Sequence, residues 1–373
     1  MNQPWLQSYP EGVPEEIDLG AYSSILDIFT QSCEKFGDQV AYMNFGKELR
    51  YADLDRMTRD FAAWLQSKGL VKGDRIALMM PNILQYPVAL FGAMRAGLVI
   101  VNTNPMYTAR ELKHQLTDSG AKAIVVVENF AHVLEKVRHE TPVEQVITTR
   151  IGDLLGFPKG TIINFMLKHV KKAVPAFSLP GAAKFNDVLH EGSRMALTPV
   201  EFDLDDLAFL QYTGGTTGVA KGAMLTHRNL VANMLQAKAW MIPAGIGLDS
   251  EVVITALPLY HIFALTANCL TFMAMGGVNV LITNPRDIPA FIKELQTVPF
   301  TYIPGVNTLF NSMLADPEFA KLDFSTLKGA LGGGMAVQRV VAEKWLEVTG
   351  TPLVEAYGLT ETSPAACINP VDL

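Results

Sequence analysis

Between Leu210 and Gly222 the chain reads Leu-Gln-Tyr-Thr-Gly-Gly-Thr-Thr-Gly-Val-Ala-Lys-Gly. Thr213, Thr216 and Thr217 offer hydroxyls. Gly214, Gly215 and Gly218 let successive backbone N–H groups turn toward one point, as an anion-holding nest does. Lys221 adds a positive charge, and together these groups are what holding a triphosphate requires. The stretch is not a Walker A loop, because Ala220 precedes the lysine and Gly222 follows it, where that motif needs Gly-Lys-Ser/Thr. The plain alternative is a flexible Gly/Thr hairpin loop. Leu207–Leu210 ahead of it and the run from Ala223 behind it are predicted strands.

Three later stretches carry further candidates. Pro258-Leu259-Tyr260-His261-Ile262-Phe263 leaves a predicted strand and enters a predicted helix. His261 then sits where ligands gather in open α/β sheets, beyond a strand's carboxyl end; elsewhere a lone histidine is an ordinary core or surface group. Gly332-Gly333-Gly334-Met335 ends another strand. It reads either as a mobile strand-to-helix turn or as bare backbone against which a flat base or an acyl chain can press. Tyr357-Gly358-Leu359-Thr360-Glu361-Thr362 follows a third strand. A carboxylate beside a triphosphate is repulsive unless a cation lies between them, and Mg²⁺ takes such oxygen ligands. Glu361 is therefore the candidate metal ligand, assisted by Thr213; read alone it is a solvated loop acid.

Composition narrows the classes. The 373 residues are 49% hydrophobic and 18% charged, a globular balance with a large interior. A net charge of −7 argues against nucleic acid as the main partner, since a phosphate backbone demands a positive footprint. Cys33, Cys269 and Cys367 are widely spaced, which points to a reducing cytoplasm without a disulfide framework or zinc site. The first sixteen residues lack the apolar core of a signal peptide, and no run of 18 apolar residues spans a membrane.

The elements that must position these groups alternate. Helices are predicted over 22–36 (capped by Ser23 or Ser24), 53–68, 85–95 and 108–119, and strands over 75–80, 99–102 and 121–127, after a hairpin around Gly46-Lys47. Beyond the Gly/Thr loop, strands over 252–257, 278–282, 300–304, 327–331 and 352–357 alternate with helices over 263–275, 288–297, 306–315 and 337–349. Fully apolar strands between helices predict mainly parallel sheets covered on both faces. The expected fold class is α/β: two stacked, doubly wound lobes, one over 70–200 and the other over 20–69 plus 205–357, with a crevice at their strands' carboxyl ends. The stretch 160–174 is unusual. Ile162, Phe165, Met166, His169, Val170 and Ala173 share one helical face, and Lys168, Lys171 and Lys172 fall on the other side or its edge. Such a helix can lie on an anionic membrane or pack its apolar face on its own lobe.

The Gly/Thr string and the Tyr-Gly-x-Thr-Glu turn resemble the signatures of the adenylate-forming superfamily, which includes acyl-CoA synthetases, peptide-synthetase adenylation domains and luciferases. Met80-Pro81-Asn82, Asn102 to Thr108 and Thr283 to Asp287 are similar to bacterial long-chain fatty-acid–CoA ligases in particular. The resemblance runs from Tyr22 to the end. It implies a two-step reaction, in which a fatty carboxylate attacks the α-phosphate of ATP to give acyl-adenylate and pyrophosphate, and coenzyme A thiol then displaces AMP. It implies that Lys221 and the loop hydroxyls and N–H groups hold phosphates, with Mg²⁺ on Glu361. Thr360 would donate to the α-phosphate, Tyr357 and Gly358 would lie by the adenine, and Gly332–Gly334 by adenine and acyl group. His261 would orient the carboxylate and border the acyl tunnel. Some long-chain members carry a gating tryptophan four residues after that histidine; Leu265 stands there, so chain length stays open.

The family continues past the point where this chain stops, at Leu373. The expectation is a truncated N-terminal AMP-binding domain, 358–373 beginning a remainder that includes a barrel part and a small mobile domain. Alone it would make acyl-adenylate very poorly and thioester hardly at all. The competing readings are a nucleotide- or fatty-acid-binding remnant, and an acyl-AMP or aryl-CoA ligase of the same superfamily. A cytoplasmic protein, peripheral on the inner membrane face and compatible with a homodimer, completes the expectation.

Overall fold

Runs such as Arg75–Met79 and Ala121–Val127 have too few polar side chains to face water on either side, and they form central strands of parallel sheets. In the computed structural model, which describes residues 3–214, 219–241, 243, 245–247 and 250–370, fifteen described strands are numbered in chain order. They fall into two sheets, each belonging to one compact unit.

The unit made by Met1–Glu48 and Arg228–Leu373 is built on eight strands: β1 (Val40–Asn44), β2 (Lys47–Arg50), β10 (Val252–Thr255), β11 (Val278–Leu281), β12 (Tyr302–Gly305), β13 (Gly329–Gly332), β14 (Leu353–Gly358) and β15 (Ala365–Ile368). Their order is β15-β14-β13-β12-β10-β11-β1-β2. The pairs from β1 through β14 are parallel, and β15 returns antiparallel on β14. One core layer joins Ile254, Ile303, Phe310 and Trp345, with the Phe310 and Trp345 rings 4.8 Å apart. The β1–β2 turn puts both Phe45 (φ 49°) and Gly46 (φ 69°) in the left-handed region, the requirement of a tight hairpin turn.

The unit Leu49–His227 holds seven strands: β3 (Arg75–Met79), β4 (Val99–Asn102), β5 (Ala121–Val127), β6 (Gln145–Thr149), β7 (Ala183–Lys184), β8 (Leu207–Thr213) and β9 (Lys221–Thr226). Their order is β7-β6-β5-β3-β4-β8-β9, all parallel except the β8–β9 hairpin.

Both units are doubly wound α/β, as expected, but the boundaries differ from the expected lobes. The helix Tyr51–Ser67 belongs with β3–β9. A side chain at Gly92 would strike the Phe61 ring at 2.8 Å, one at Gly192 would lie 1.9 Å from the Asp60 carbonyl oxygen, and the Phe61 and Phe185 rings sit 5.4 Å apart. The Gly/Thr hairpin also moves to this sheet, because β8 pairs in parallel with β4. Periodicity identifies an amphipathic helix but not the body it packs on.

The stretch expected to be helical over 160–174 runs as an α-helix over Lys159–Phe165 and a π-helical turn over Met166–Val170. Lys172 follows at φ 50°, which ends the helix before Ala173. Ser24 caps the first long helix, its Oγ accepting from the Asp27 N–H at 3.0 Å.

Candidate functional site

The Gly/Thr loop is carried on the β8–β9 hairpin, where Thr213 pairs with Lys221 and Tyr212 with Gly222. Thr213 is half-buried, while Gly214 and Lys221 are exposed at the base of the loop. Gly215, Thr216, Thr217 and Gly218 lie outside the described residues. Gly222 must lack a side chain, because a Cβ there would sit 2.9 Å from the Tyr212 ring. The Tyr212 hydroxyl donates to Asp118 Oδ2 at 2.6 Å. Burial first, and then the Asp118 carboxylate, raises the Tyr212 pKa, so the phenol keeps its proton. His114 Nε2 lies 2.8 Å from the Ala220 carbonyl oxygen; a carbonyl only accepts, so Nε2 carries the hydrogen. His114 and Asp118 stand one turn apart on the helix Ala109–Ser119, which starts at a Thr108–Glu111 capping box. That helix braces both limbs of the hairpin, and neither His114 nor Asp118 was expected from the sequence to take part.

In the eight-stranded unit, the segments that follow β10, β13 and β14 leave the carboxyl edge of one sheet, the edge where ligands bind in open α/β sheets. His261 caps the helix that begins at Ile262. Its Nδ1 accepts from the Phe263 N–H at 3.3 Å, which assigns the proton to Nε2. His261 keeps an exposed edge, yet the protein crowded around its ring lowers its pKa and favours the neutral imidazole. The helix continues through a buried π-helical stretch, Leu265–Leu270, a local geometry frequent at functional sites.

Gly332 and Gly333 are buried and Gly334 is exposed with φ 74°. A Cβ on Gly333 would lie 2.9 Å from the Phe263 ring, and one on Gly332 would lie 2.5 Å from Val337 Cγ2. The triplet is therefore bare backbone by steric necessity, held in part by the Gly333 N–H donating to the Gly305 carbonyl at 3.1 Å. Tyr357 is 63% exposed at the end of β14, so its ring is open to a stacking partner.

Thr360 and Glu361 sit in a tight turn, Thr360–Thr362, with Glu361 exposed. Thr362 Oγ1 accepts from the Leu359 N–H at 2.9 Å, and the Leu359 N–H also reaches the Pro364 carbonyl at 3.0 Å. Gly358 is obligatory, since a Cβ would fall 1.9 Å from that same Pro364 oxygen. Two side chains far off in the sequence hold the turn. Thr266 Oγ1 donates to the Ser363 carbonyl at 2.9 Å. Asn233 clasps the backbone of Ala365, donating to its carbonyl at 2.8 Å and accepting from its N–H at 3.1 Å. Sequence reasoning missed both, because nothing local to residues 233 or 266 announces a partner 132 or 97 residues away.

His261, Gly332–Gly334 and Tyr357–Glu361 are thus brought to one sheet edge, and Thr213, Gly214 and Lys221 to the base of one hairpin in the other unit. Among the described residues no three His, Cys, Asp or Glu side chains cluster to hold a metal. A lone exposed carboxylate such as Glu361 suits Mg²⁺, which keeps most of its waters and takes substrate phosphates in place of an all-protein cage.

The fold is a two-sheet α/β fold with chemistry-bearing side chains on glycine-rich turns. The AMP-binding enzyme family matches residues 29–373, and the chain belongs to that family. A long-chain-fatty-acid–CoA ligase of Escherichia coli O6:H1 is 57% identical over 374 residues, covering 100% of this chain and 66% of that protein; the chain thus spans about two-thirds of its length. Two solved structures share the fold. One is an anthranilate CoA ligase in complex with anthranoyl-AMP (TM-score 0.77, 19% identity, 92% of this chain and 61% of that one). The other is a long-chain-fatty-acid–CoA ligase from Archaeoglobus fulgidus (TM-score 0.76, 23% identity, 97% and 69%).

Proposed function

We propose that this chain is the nucleotide- and acyl-binding part of a long-chain fatty-acid–CoA ligase. The observation that carries the reading is the gathering of His261, the Gly332–Gly334 backbone and the Tyr357–Glu361 turn at the carboxyl edge of one parallel sheet, in a chain 57% identical to a relative of that name. Adenylation needs positioning and charge neutralisation more than covalent help from the protein. Lys221, Thr213 and the loop N–H groups hold phosphates, Thr360 donates to the α-phosphate, and the exposed ring of Tyr357 stacks on adenine. His261, neutral and with its proton on Nε2, donates to the fatty carboxylate without removing the negative charge that makes it a nucleophile. Gly334, exposed and with only Val306 Cγ1 near, 3.5 Å from a Cβ built there, leaves bare backbone for the base or the chain. When bound, Mg²⁺ neutralises phosphate charge, and Glu361 is the residue that would hold it.

The partners of this reading are ATP, a fatty acid and coenzyme A, and the place of action is the cytoplasmic face of a membrane, where fatty acids partition. Calorimetric titration of the chain tests it with a non-hydrolysable hexadecanoyl-AMP analogue and a benzoyl-AMP analogue. The hexadecanoyl compound should bind at least about tenfold more tightly, as extra buried methylenes contribute about 0.8 kcal/mol each. Glu361→Gln should weaken ATP binding only when Mg²⁺ is present. Preference for the aryl compound would reassign the substrate, and failure of both to bind would end the reading.

A further inference from the structure

In a chain of net charge −7, residues 154–186 contain five lysines, Lys159, Lys168, Lys171, Lys172 and Lys184, and no aspartate or glutamate. The same stretch carries the helix Lys159–Val170, and four of that helix's large apolar side chains face water. The side turned to the body carries Gly160 and Asn164 beside the half-buried Ile163 and Leu167. Gly160 is buried, so close to Gly152 that a Cβ would sit 2.1 Å from the Gly152 carbonyl oxygen. Asn164 Oδ1 accepts from the Gly152 N–H at 2.8 Å, and its Nδ2 donates to Asp153 Oδ1 at 3.2 Å. The side turned to water is apolar: Phe157 is 90% exposed, Ile162 53%, Phe165 59%, Met166 43% and Val170 65%. A surface helix ordinarily buries its apolar stripe, and contiguous exposed apolar residues mark a docking surface. Lys159, Lys168, Lys171 and Lys172, all exposed, border it.

We infer that this face is the surface by which the protein sits on an anionic lipid bilayer. An apolar face in a lysine rim matches the two layers of such a membrane, acyl boundary beneath and negative headgroups around. Twelve residues in the helix cannot cross a bilayer, and no helix among the described residues is long and apolar enough to do so, so the helix lies in the interface plane. Phe157 and Phe165 enter the acyl boundary and the lysines remain at headgroup level, as long cationic side chains do. The inference deepens the membrane-face location proposed above by assigning the surface and the lipid charge it reads.

The test is co-sedimentation of the chain with vesicles of phosphatidylcholine alone or with 30 mol% phosphatidylglycerol (a chosen composition, roughly that of an anionic membrane). The wild type should bind the anionic vesicles and release them as salt rises. Lys168→Glu, Lys171→Glu and Lys172→Glu together should weaken binding about a hundredfold or more, taking about fivefold per lysine. Phe157→Ser with Phe165→Ser should abolish the salt-resistant part. These side chains are exposed, so melting temperature and ATP affinity should stay as in the wild type, which separates failure here from failure of the ligase reading. Equal sedimentation of wild type and lysine variant, or binding to polyglutamate but not to vesicles, would overturn the assignment, the latter giving the face to an acidic protein partner. A blue shift of Phe165→Trp fluorescence on adding anionic vesicles would support it.

Discussion

Asn233 offers the sharpest perturbation, because one side chain holds the end of the Glu361 segment. It is 5% exposed and makes two hydrogen bonds to Ala365, at 2.8 and 3.1 Å. β15 is an edge strand supported on one side only, by β14. Asn233→Ala removes both bonds and leaves a half-buried backbone donor and acceptor without them. At about 0.5–1.5 kcal/mol per bond plus the penalty for stranded groups, the local loss is about 2–4 kcal/mol. Read as hydrogen exchange, that is roughly a 30- to 1000-fold acceleration for amides around 359–368, at about 1.4 kcal/mol per tenfold. The strands β10–β13, which do not lean on Asn233, should exchange as before. ATP·Mg²⁺ affinity should fall with the loosening of Glu361. Asn233→Asp should be intermediate, since it still accepts from the Ala365 N–H but repels the Ala365 carbonyl. Exchange at 359–368 within twofold of the wild type, in a protein that is otherwise folded, would refute the claim that this residue fixes the turn.

Lys221→Ala should leave the melting temperature nearly unchanged, because Lys221 is exposed, yet weaken ATP binding by about tenfold or more, the range for a lost hydrogen bond to a charged group; titration calorimetry checks it. Gly358→Ala should cost about 1–3 kcal/mol through overpacking against the Pro364 carbonyl, seen as a lowered thermal midpoint. His227 is 1% exposed, and burial lowers its pKa to about 4. The unfolded chain therefore binds the proton more readily, so His227 favours folding fully above about pH 6.5 and progressively less as pH falls toward 4, by about 3 kcal/mol in all. Urea midpoints at pH 7 and 4.5 should differ less in His227→Gln than in the wild type.

Much of the architecture was legible because parallel strands buried on both faces leave unbroken apolar runs, and β3, β5, β10 and β13 are such runs. β6 was missed because Gln145-Val-Ile-Thr-Thr149 carries three polar residues, and Thr148 and Thr149 are nevertheless buried. β15 was missed because Ala365-Ala-Cys-Ile368 is short and barely patterned. The candidate segments after β10, β13 and β14 were legible as glycines and chemistry-bearing side chains just past strand ends. The supports of the turn after β14, Thr266 and Asn233, and those of the β8–β9 hairpin, His114 and Asp118, were not, since each acts on backbone or side chains brought near only by folding. The helix at 159–170 shows a further limit. Periodicity revealed an apolar face, but Gly160 and Asn164 against Gly152 decide that it points outward.

The eight-stranded unit is assembled from segments on either side of Leu49–His227, and this bears on its synthesis. β1 pairs with β11, and Asn44 Nδ2 donates to the Leu281 carbonyl across 237 residues of sequence. At roughly 5–20 residues per second, β1 leaves the ribosome about ten to fifty seconds before β11 exists. Leu49–His227 can meanwhile close its own sheet, while the helix Ile25–Phe36 keeps Ile28 and Phe29, wholly buried in the finished protein, in search of cover. The nascent chain therefore has a built-in interval in which the segment holding Ile25–Phe36 and β1 invites a chaperone.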